Sequence, residues 1–143
     1  KQEWNRIHQG YRFMTTPDEI EEILSVLYHA LRAARRRYVI RYLSDTEDKT
    51  FPTRELSRKV ASNELDVPEK QTSGEPYRNA YNALSQTHLP TLADAGVIIY
   101  DPKRQTVCRG SNFELAALLL NTNTPTVVTV TSLLSSEDVT DDF

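Results

Sequence analysis

The sequence is poor in cysteine and glycine, and it contains no long apolar segment. Its single cysteine, Cys108, excludes an internal disulfide and every zinc or iron–sulfur site that needs several cysteines. Four glycines and seven prolines are too few for a Gly-rich linker or a fibrous repeat. No apolar stretch approaches the ~20 residues of a membrane-spanning helix, and no charged segment followed by an apolar one marks a secretory signal. We therefore expect a soluble, cytoplasmic globular domain with no membrane partner, no metal site and no other cofactor.

Charge is unevenly distributed along the 143 residues. The chain carries 17 basic and 20 acidic residues, for a net charge of −3. Residues 135–143 contain four acidic and no basic side chains, so we expect an acidic disordered tail, without which the net charge would be +1. Residues 32–109 hold fourteen Lys or Arg against ten Asp or Glu. A polyanionic partner is therefore expected at this middle segment.

Sequence patterns that carry catalysis are missing. No Ser-His-Asp pattern, Gly-rich phosphate loop or HExxH motif is found. His8 and His29 have no partner at metal-ligand spacing. His88 falls on the apolar side of its predicted helix, which is typical of a packed histidine, and Cys108 in an alternating strand is typical of a small apolar residue. We therefore expect no enzymatic activity.

Hydrophobic periodicity predicts four helices in the first 90 residues, at 17–31, 33–43, 53–62 and 77–88. The first begins with a capping box at Thr16, and Thr53 is expected to cap the third. Residues 50–52 favour a strand of a single pair. Residues 63–75 lack any period and predict an exposed loop.

Turn residues divide the second half of the chain. Pro90 is expected to end or kink the fourth helix, and residues 91–95 then form a turn that Gly96 closes. β-Branched residues at 97–100 and 106–108 predict a hairpin. A second capping box at Ser111 predicts a helix over 113–120, and residues 126–131 favour a strand.

The order helix, helix, short strand, helix, helix, hairpin is typical of a winged helix-turn-helix. We therefore predict a mainly α fold with a small β-hairpin: a winged helix-turn-helix with extra N- and C-terminal elements. The predicted parts are an N-terminal arm at 1–16, the winged helix-turn-helix domain at 17–109, a helix and strand at 110–134 as a candidate dimerisation element, and the tail at 135–143.

The helix predicted at 77–88 has one polar face. The polar side chains on this face are Arg78, Asn79, Asn82, Ser85 and Gln86. Arg can bridge two acceptors of guanine, and Asn or Gln can bridge the adenine edge, so this set predicts readout of bases in the major groove. No acidic residue lies on the face, although the chain contains 20. The alternative is a solvated helix face without a ligand.

Five further cations are predicted to contact the DNA backbone. They are Arg35, Arg36, Arg37, Lys103 and Arg104. For the arginine cluster, the alternative is a solvated face that pairs with Asp45, Glu47 or Asp48. For the two residues at the hairpin tip, the alternative is a charge that serves solubility alone.

Two segments are apolar enough to contact a second copy of the chain. The helix at 113–120 is apolar nearly all round, and its candidate interface residues are Phe113, Leu115, Leu118 and Leu119. The N-terminal arm has Trp4, Ile7 and Tyr11 at helical spacing. It either packs on a neighbouring chain or covers its own core. We predict a homodimer.

Three stretches of the sequence carry a resemblance to known proteins. They read "LRAARRRYVIRYL", "TRELSRKVA" and "YNALSQTHLPTLADAGVIIYDPKRQTV". Residues 19–109 resemble winged-helix regulators of the ArsR and MarR type, and are more closely similar to a haloarchaeal winged-helix family of unassigned function with an "HLPxLxxAGVxxYD" signature. Twelve arginines against five lysines, and fifteen threonines, suit a halophilic archaeon.

This resemblance implies a DNA-binding transcriptional regulator with its recognition helix at 78–86. Metal sensing is not implied, because the chain lacks the cysteine ligands of metal-sensing ArsR proteins. A second departure from the family pattern is the loop at 63–75, which is longer than a standard turn.

Taken together, the sequence predicts a homodimeric, sequence-specific regulator that binds double-stranded DNA. The alternative from another class is a winged-helix adaptor or assembly subunit that does not bind DNA. RNA binding is the third alternative, and it is disfavoured because no aromatic-rich exposed sheet is predicted. The sequence indicates neither an effector nor an operator.

Overall fold

Helix α1 opens the described part of the chain. The computed structural model describes residues 16–47, 49–121, 129 and 132–134. Helix α1 spans Pro17–Ala30, and the hydroxyl of its N-cap, Thr16, accepts a hydrogen bond from the backbone N–H of Glu19 at 3.3 Å. Residues 17–22 are exposed, whereas Leu27 and Ala30 are fully buried. The helix therefore packs on the rest of the chain through its C-terminal turns.

The next three elements are α2 (Ala34–Ser44), β1 (Phe51–Pro52) and α3 (Thr53–Leu65). The helices predicted at 33–43 and 53–62 are thus confirmed. The N-cap prediction for Thr53 is wrong, because Pro52 is the N-cap and the buried Thr53 hydroxyl has no hydrogen-bond partner among the described residues. The loop predicted at 63–75 is shorter than expected, since α3 continues to Leu65 and a 3₁₀ turn covers Glu69–Gln71.

A long helical segment follows, made of α4 (Glu75–Ala83), a π turn (Leu84–His88) and α5 (Leu89–Asp94). Of the two outcomes expected at Pro90, an end or a kink of the helix, the end is wrong, because α5 continues through Pro90 to Asp94, and the turn predicted at 91–95 is wrong for the same reason. The backbone N–H of Leu89 bonds the carbonyl of Leu84, five residues back, and this wider turn accommodates a proline that has no N–H to donate. Gly96, at φ 74°, ends the segment as predicted.

A small antiparallel sheet completes the core. Strands β2 (Ile98–Asp101) and β3 (Thr106–Arg109) form the predicted hairpin, and β1 adds a third strand in the order β1-β3-β2. Phe51 and Tyr100 both lie opposite Val107, one from each side of β3. Phe51, Ile98 and Val107 are buried, so one face of the sheet covers the helices.

Helix α6 (Phe113–Leu120) packs against α2. Phe113 is 2 % exposed and belongs to the chain's own core, so its assignment to a dimer interface is wrong. Leu119 also packs partly against that core. The capping box predicted at Ser111 is wrong as well: Asn112 is the N-cap, and its amide instead donates to the carbonyl of Ala95 at 3.0 Å.

Several predictions concern residues outside the described ranges. They include the N-terminal arm before Thr16, with Trp4, Ile7 and Tyr11, and the acidic tail at 135–143. Of the strand predicted at 126–131, only Thr129 is described, and its backbone is helical. The strand prediction is therefore wrong at that residue.

The described chain is mainly helical with a small three-stranded antiparallel sheet, which confirms the predicted class of mainly α with a β-hairpin. One core joins all the elements. Its largest fully buried side chains are Phe51, Leu27, Ile40, Leu43, Leu56, Leu84, Leu89, Leu92, Val39, Val60, Val97 and Val107. No helix within the described ranges is both long enough and apolar enough to cross a bilayer.

Gly110 lies where the loop after β3 passes close to the loop after α5. A Cβ atom at this position would lie 2.5 Å from the carbonyl oxygen of Gly96 and 3.0 Å from the backbone nitrogen of Ile98. We expect Gly110→Ala to lower the free energy of unfolding by about 2–3 kcal/mol, because backbone must move to admit the methyl group. Urea denaturation followed by circular dichroism measures this loss.

Gly74→Ala is the matched control. Gly74 has φ 70° and ψ −137°, a backbone conformation that L residues rarely adopt, and no described atom lies within 4 Å of an added Cβ, so this substitution strains the backbone without a steric contact and should cost about 1–3 kcal/mol. The two losses have different causes, so the steric argument is tested by Gly110→Ala itself, and a loss below about 1 kcal/mol there would contradict it.

Candidate functional site

The outer surface of α4 and the π turn is polar, as predicted. Arg78, Asn79, Asn82 and Gln86 are exposed, and Ser85 is half-buried. On the opposite side, Ala80 and Leu84 are fully buried and Tyr77, Tyr81 and His88 are half-buried. The predicted division of this helix into an inward and an outward side is therefore confirmed. We call the exposed set Arg78, Asn79, Asn82 and Gln86 the polar face.

A ring contact within α4 and a cation–π contact with α3 surround the start of this helix. The rings of Tyr77 and Tyr81 are 6.1 Å apart, and the guanidinium of Arg58 lies 5.7 Å from the centre of the Tyr77 ring. Together with the buried Ala80 and Leu84, these contacts hold the polar face in one orientation. The side that faces away from α3 and the core therefore carries these polar side chains.

The electrostatics of the polar face favour an anionic or acceptor-rich ligand. Residues 76–93 contain no Asp or Glu. Glu75 is exposed one turn before Arg78, but no ion pair joins the two in the described part of the chain. The guanidinium of Arg78 thus remains available to a ligand.

Ser85 differs from the other predicted base-reading residues. Its hydroxyl donates to the carbonyl of Tyr81 at 2.8 Å, one turn back in the same helix. The hydroxyl can still accept a hydrogen bond, but its proton is in use. Ser85 is consequently a weaker readout residue than Arg78, Asn82 or Gln86.

The tip of the hairpin is held by its own side chains. The carboxylate of Asp101 accepts from the backbone N–H groups of Lys103 and Arg104 at 3.0 and 3.1 Å. Gln105, at φ 52°, accepts from the Tyr100 hydroxyl at 2.9 Å and donates to the carbonyl of Pro102 at 2.9 Å. The exposed cations of Lys103 and Arg104 therefore project from an ordered turn.

The arginine cluster of α2 does not form the predicted phosphate clamp. Arg36 is 8 % exposed, and its Nε and Nη2 atoms donate to the carbonyls of Ala30 at 2.6 Å and His29 at 3.3 Å. Its assignment to the DNA backbone is therefore wrong. Arg37 donates to the carbonyl of Leu31 at 2.7 Å. Both side chains satisfy carbonyls at the C-terminal end of α1, where a helix leaves such groups unpaired and carries partial negative charge.

Arg35 makes an ion pair that the sequence did not indicate. Its Nε and Nη2 atoms donate to the two carboxylate oxygens of Glu64 in α3, at 2.5 and 3.0 Å. The hydrogen bond to Glu64 raises the pKa of Arg35, against the opposing effect of burial. Because a phosphate contact would have to break these bonds, Arg35 and Arg37 do not belong to the candidate site.

His88 is half-buried and contacts the arginine cluster. Its Nδ1 atom lies 3.2 Å from Nη1 of Arg36. Burial lowers the pKa of His88, and the nearby cations of Arg36 and Arg35 lower it further, while Glu64 acts in the opposite direction. The predicted packed histidine is thus also a polar link between α2 and the π turn.

Two exposed cations beside the polar face were missed in the sequence. Arg54 and Arg58 lie one turn apart on α3 and are exposed, while Leu56 and Val60 of the same helix are buried. Neither arginine forms an ion pair with a described residue, and Arg58 rests on Tyr77. The i, i+4 spacing of the two arginines on the side opposite the buried residues was the available signal.

No metal-binding arrangement is found in the described ranges, where His, Cys, Asp and Glu side chains nowhere gather in groups of three. Cys108 is a free, half-buried thiol on β3. The chemistry that the described side chains can provide is hydrogen bonding and positive charge on α3, on α4 and at the hairpin tip.

The buried position of Arg36 predicts a large effect on stability. Arg36→Ala should lower the free energy of unfolding by about 2–4 kcal/mol, because the buried carbonyl of Ala30 would lose the donor that Arg36 supplies. Arg35→Ala, which breaks a partly exposed ion pair, should cost less than about 1 kcal/mol. Urea denaturation of both variants measures the difference. Similar small losses would mean that Arg36 is not a structural residue.

Comparison with known proteins gives a family but no function. No curated protein and no solved structure matches the chain. Residues 28–108, which hold α2 to β2, most of β3 and the end of α1, match the family DUF7344, described as a domain of unknown function. Since this match covers more than half of the sequence, the chain belongs to the DUF7344 family.

Proposed function

We propose that this protein is a sequence-specific transcriptional regulator that binds double-stranded DNA, with the polar face of α4 in the major groove. The observation that carries the proposal is the polar face itself: four exposed side chains on a helix packed against α3, with no carboxylate between the exposed Glu75 at its start and Asp94. Arg, Asn and Gln are the side chains whose geometry suits guanine and adenine edges. The DUF7344 family has no assigned function, so the proposal rests on this chemistry.

The order of elements supports a winged helix-turn-helix architecture. The chain runs α2, β1, α3, α4 and then the β2–β3 hairpin, and β1 pairs with β3 beside that hairpin. In this arrangement α3 and α4 are the paired helices, α4 is the recognition helix and the hairpin is the wing. The resemblance to haloarchaeal winged-helix proteins is consistent with the same architecture.

The dimensions of the polar face suit a groove. A helix with its side chains is about 10–12 Å in diameter, and the major groove of B-DNA is about 12 Å wide and admits a helix. Arg78 would bridge the O6 and N7 atoms of guanine, and Asn82 would bridge the N6 and N7 atoms of adenine. Both side chains are exposed and form no ion pair with a described residue.

Cations at the hairpin tip and on α3 would hold the phosphates. Lys103 and Arg104 project from the ordered tip of the hairpin, and Arg54 and Arg58 project from α3. Such contacts orient a protein on the duplex without reading its sequence. Arg104 is 4.0 Å from Asp101 but 84 % exposed, so this ion pair would yield readily to a phosphate.

Substitutions on the polar face and at the hairpin tip should behave differently. Arg78→Ala or Asn82→Ala should weaken binding to the preferred site by about 1–3 kcal/mol and relax selectivity at one base pair. Lys103→Ala should weaken binding to all duplexes alike and reduce the salt slope by about one unit, because one phosphate contact is lost. Fluorescence anisotropy with a selected site and mixed duplexes, from 50 to 300 mM salt, measures both quantities.

Lys70→Ala serves as the matched control, since Lys70 is exposed in the 3₁₀ turn outside the proposed interface. It should leave selectivity unchanged and the salt slope nearly so. If the unaltered protein binds no duplex at about 50 mM salt, where phosphate contacts are strong, the DNA proposal fails. The alternative, a winged-helix adaptor or assembly subunit that binds protein and not DNA, then replaces the DNA proposal.

We further propose that α6 contributes to a homodimer. Leu115 and Leu118 are 36 % and 54 % exposed, although Phe113 and Ala116 of the same helix are buried. The two leucines line an open groove of about 830 Å³ between α6 and α2, with Ile40 at its base and Arg41 at its rim. A second copy of the chain would remove these apolar side chains from water.

Charging this apolar surface should separate the two copies. Leu115→Glu combined with Leu118→Glu should give a folded monomer in analytical ultracentrifugation, because burying unpaired carboxylates in an interface is prohibitive. Ile99→Glu is the control, since Ile99 is 62 % exposed on β2, away from α6. A double variant that remains dimeric would contradict the proposed interface.

A further inference from the structure

The guanidinium of Arg36 joins three segments that are separate in the sequence. Its Nε and Nη2 atoms donate to the carbonyls of Ala30 and His29 at the end of α1, and its Nη1 atom lies 3.2 Å from Nδ1 of His88 in the π turn. The side chain itself belongs to α2. One planar group therefore connects α1 to the helical segment that bears the polar face.

The contact between the two side chains determines which protons they carry. An arginine side chain has donors but no acceptor and keeps its charge in proteins. The Nδ1 atom of His88 must therefore accept the hydrogen bond from Arg36, so the imidazole is neutral and carries its proton on Nε2. A second proton on the ring would replace this acceptor with an N–H group that points at a cation.

The other charged groups near His88 offer little compensation for such a proton. Arg35, from α2, is a second cation, and Arg32 and Arg37 add positive charge beside Arg36. The carboxylate that acts on His88 is Glu64 of α3, and both of its oxygens are bound by Arg35. Burial and these cations hold the pKa of His88 below its ordinary value, in agreement with the geometry.

We propose that the Arg36–His88 hydrogen bond is an acid-sensitive latch that couples the C-terminal end of α1 to the π turn of the α4–α5 segment. While His88 is neutral, the latch is closed and Arg36 is held against the carbonyls of α1. When His88 is protonated, two cations and two opposed N–H groups cannot remain 3.2 Å apart, and Arg36 or His88 must move. The latch then opens.

The direction of the pH dependence follows from the lowered pKa. A histidine that is harder to protonate in the folded chain than in the unfolded chain favours folding at high pH. The contribution of the latch is therefore complete above about pH 6.5, the ordinary pKa of histidine. It is lost as the pH falls through the lower pKa of His88 in the folded protein.

The test follows His88 and the two coupled segments together by NMR. The full chain, ¹⁵N-labelled, carries His29→Gln, which removes the exposed imidazole at the end of α1, and is titrated from pH 7.5 to 4.5. At pH 7.5 the ring nitrogens of His88 should report a neutral imidazole protonated on Nε2. On acidification, the backbone amides of residues 29–32 and 84–89 should shift with the same midpoint as the His88 ring, below pH 6.5.

His88→Asn in the same background is the decisive comparison, because an Asn oxygen can accept from Arg36 but does not titrate. Both groups of amides should then lose that transition. Should this variant fail to fold, His88→Gln supplies another neutral acceptor. The latch is overturned if the two segments shift without His88, if His88 titrates without moving residues 29–32, or if the shared transition persists in the folded neutral variant.

Discussion

A buried cation without a carboxylate partner is the constraint on which the arrangement of the helices depends. Arg36 is 8 % exposed, and its partners are two carbonyls and a neutral imidazole. Burying a charge is costly unless it is hydrogen-bonded. The partial negative charge at the C-terminal end of α1 provides the compensation, so α1 and α2 cannot separate without exposing both the cation and its acceptors.

The second constraint is the π turn before Pro90. Ala80 and Leu84 are inward-facing and four residues apart, but the next fully buried side chain is Leu89, five residues on. The extra residue in this turn shifts the inward side of the helix, so that Leu89 and Leu92 still reach the core. It also places His88 beside Arg36 while the polar face of α4 stays in solvent. The π turn thus accommodates Pro90, keeps Leu89 and Leu92 in the core and leaves the polar face exposed.

Much of the fold could be predicted because its signals are local. The helical periodicity, the β-branched strands and Gly96 each depend on neighbouring residues, and the inward and outward sides of α4 were separated correctly. The cluster at Arg35 to Arg37 could not be resolved in this way, because three consecutive arginines look equivalent in a sequence. Their different roles depend on Glu64, His88 and the end of α1, which only the tertiary fold brings near.

Two other differences have the same physical origin. An apolar helix such as α6 shows no polar side, so nothing in its sequence separates the core residue Phe113 from the exposed Leu118. The rule that proline ends a helix concerns one missing hydrogen bond, and a π turn supplied by the preceding residues removes the conflict. In both cases the local structure depends on the residues that the segment packs against, and the sequence of the segment does not show them.

The attachment of α1 by one end has a mechanical consequence. Residues 17–22 are exposed, and the buried contacts of the helix are at Leu27 and Ala30, next to the carbonyls that Arg36 holds. A helix of 14 residues is roughly 21 Å long. By that length, a tilt of about 10° at the held end would displace the other end by roughly 4 Å. A small change in the position of Arg36 at the held end would therefore move the N-terminal turns of α1 over a larger distance.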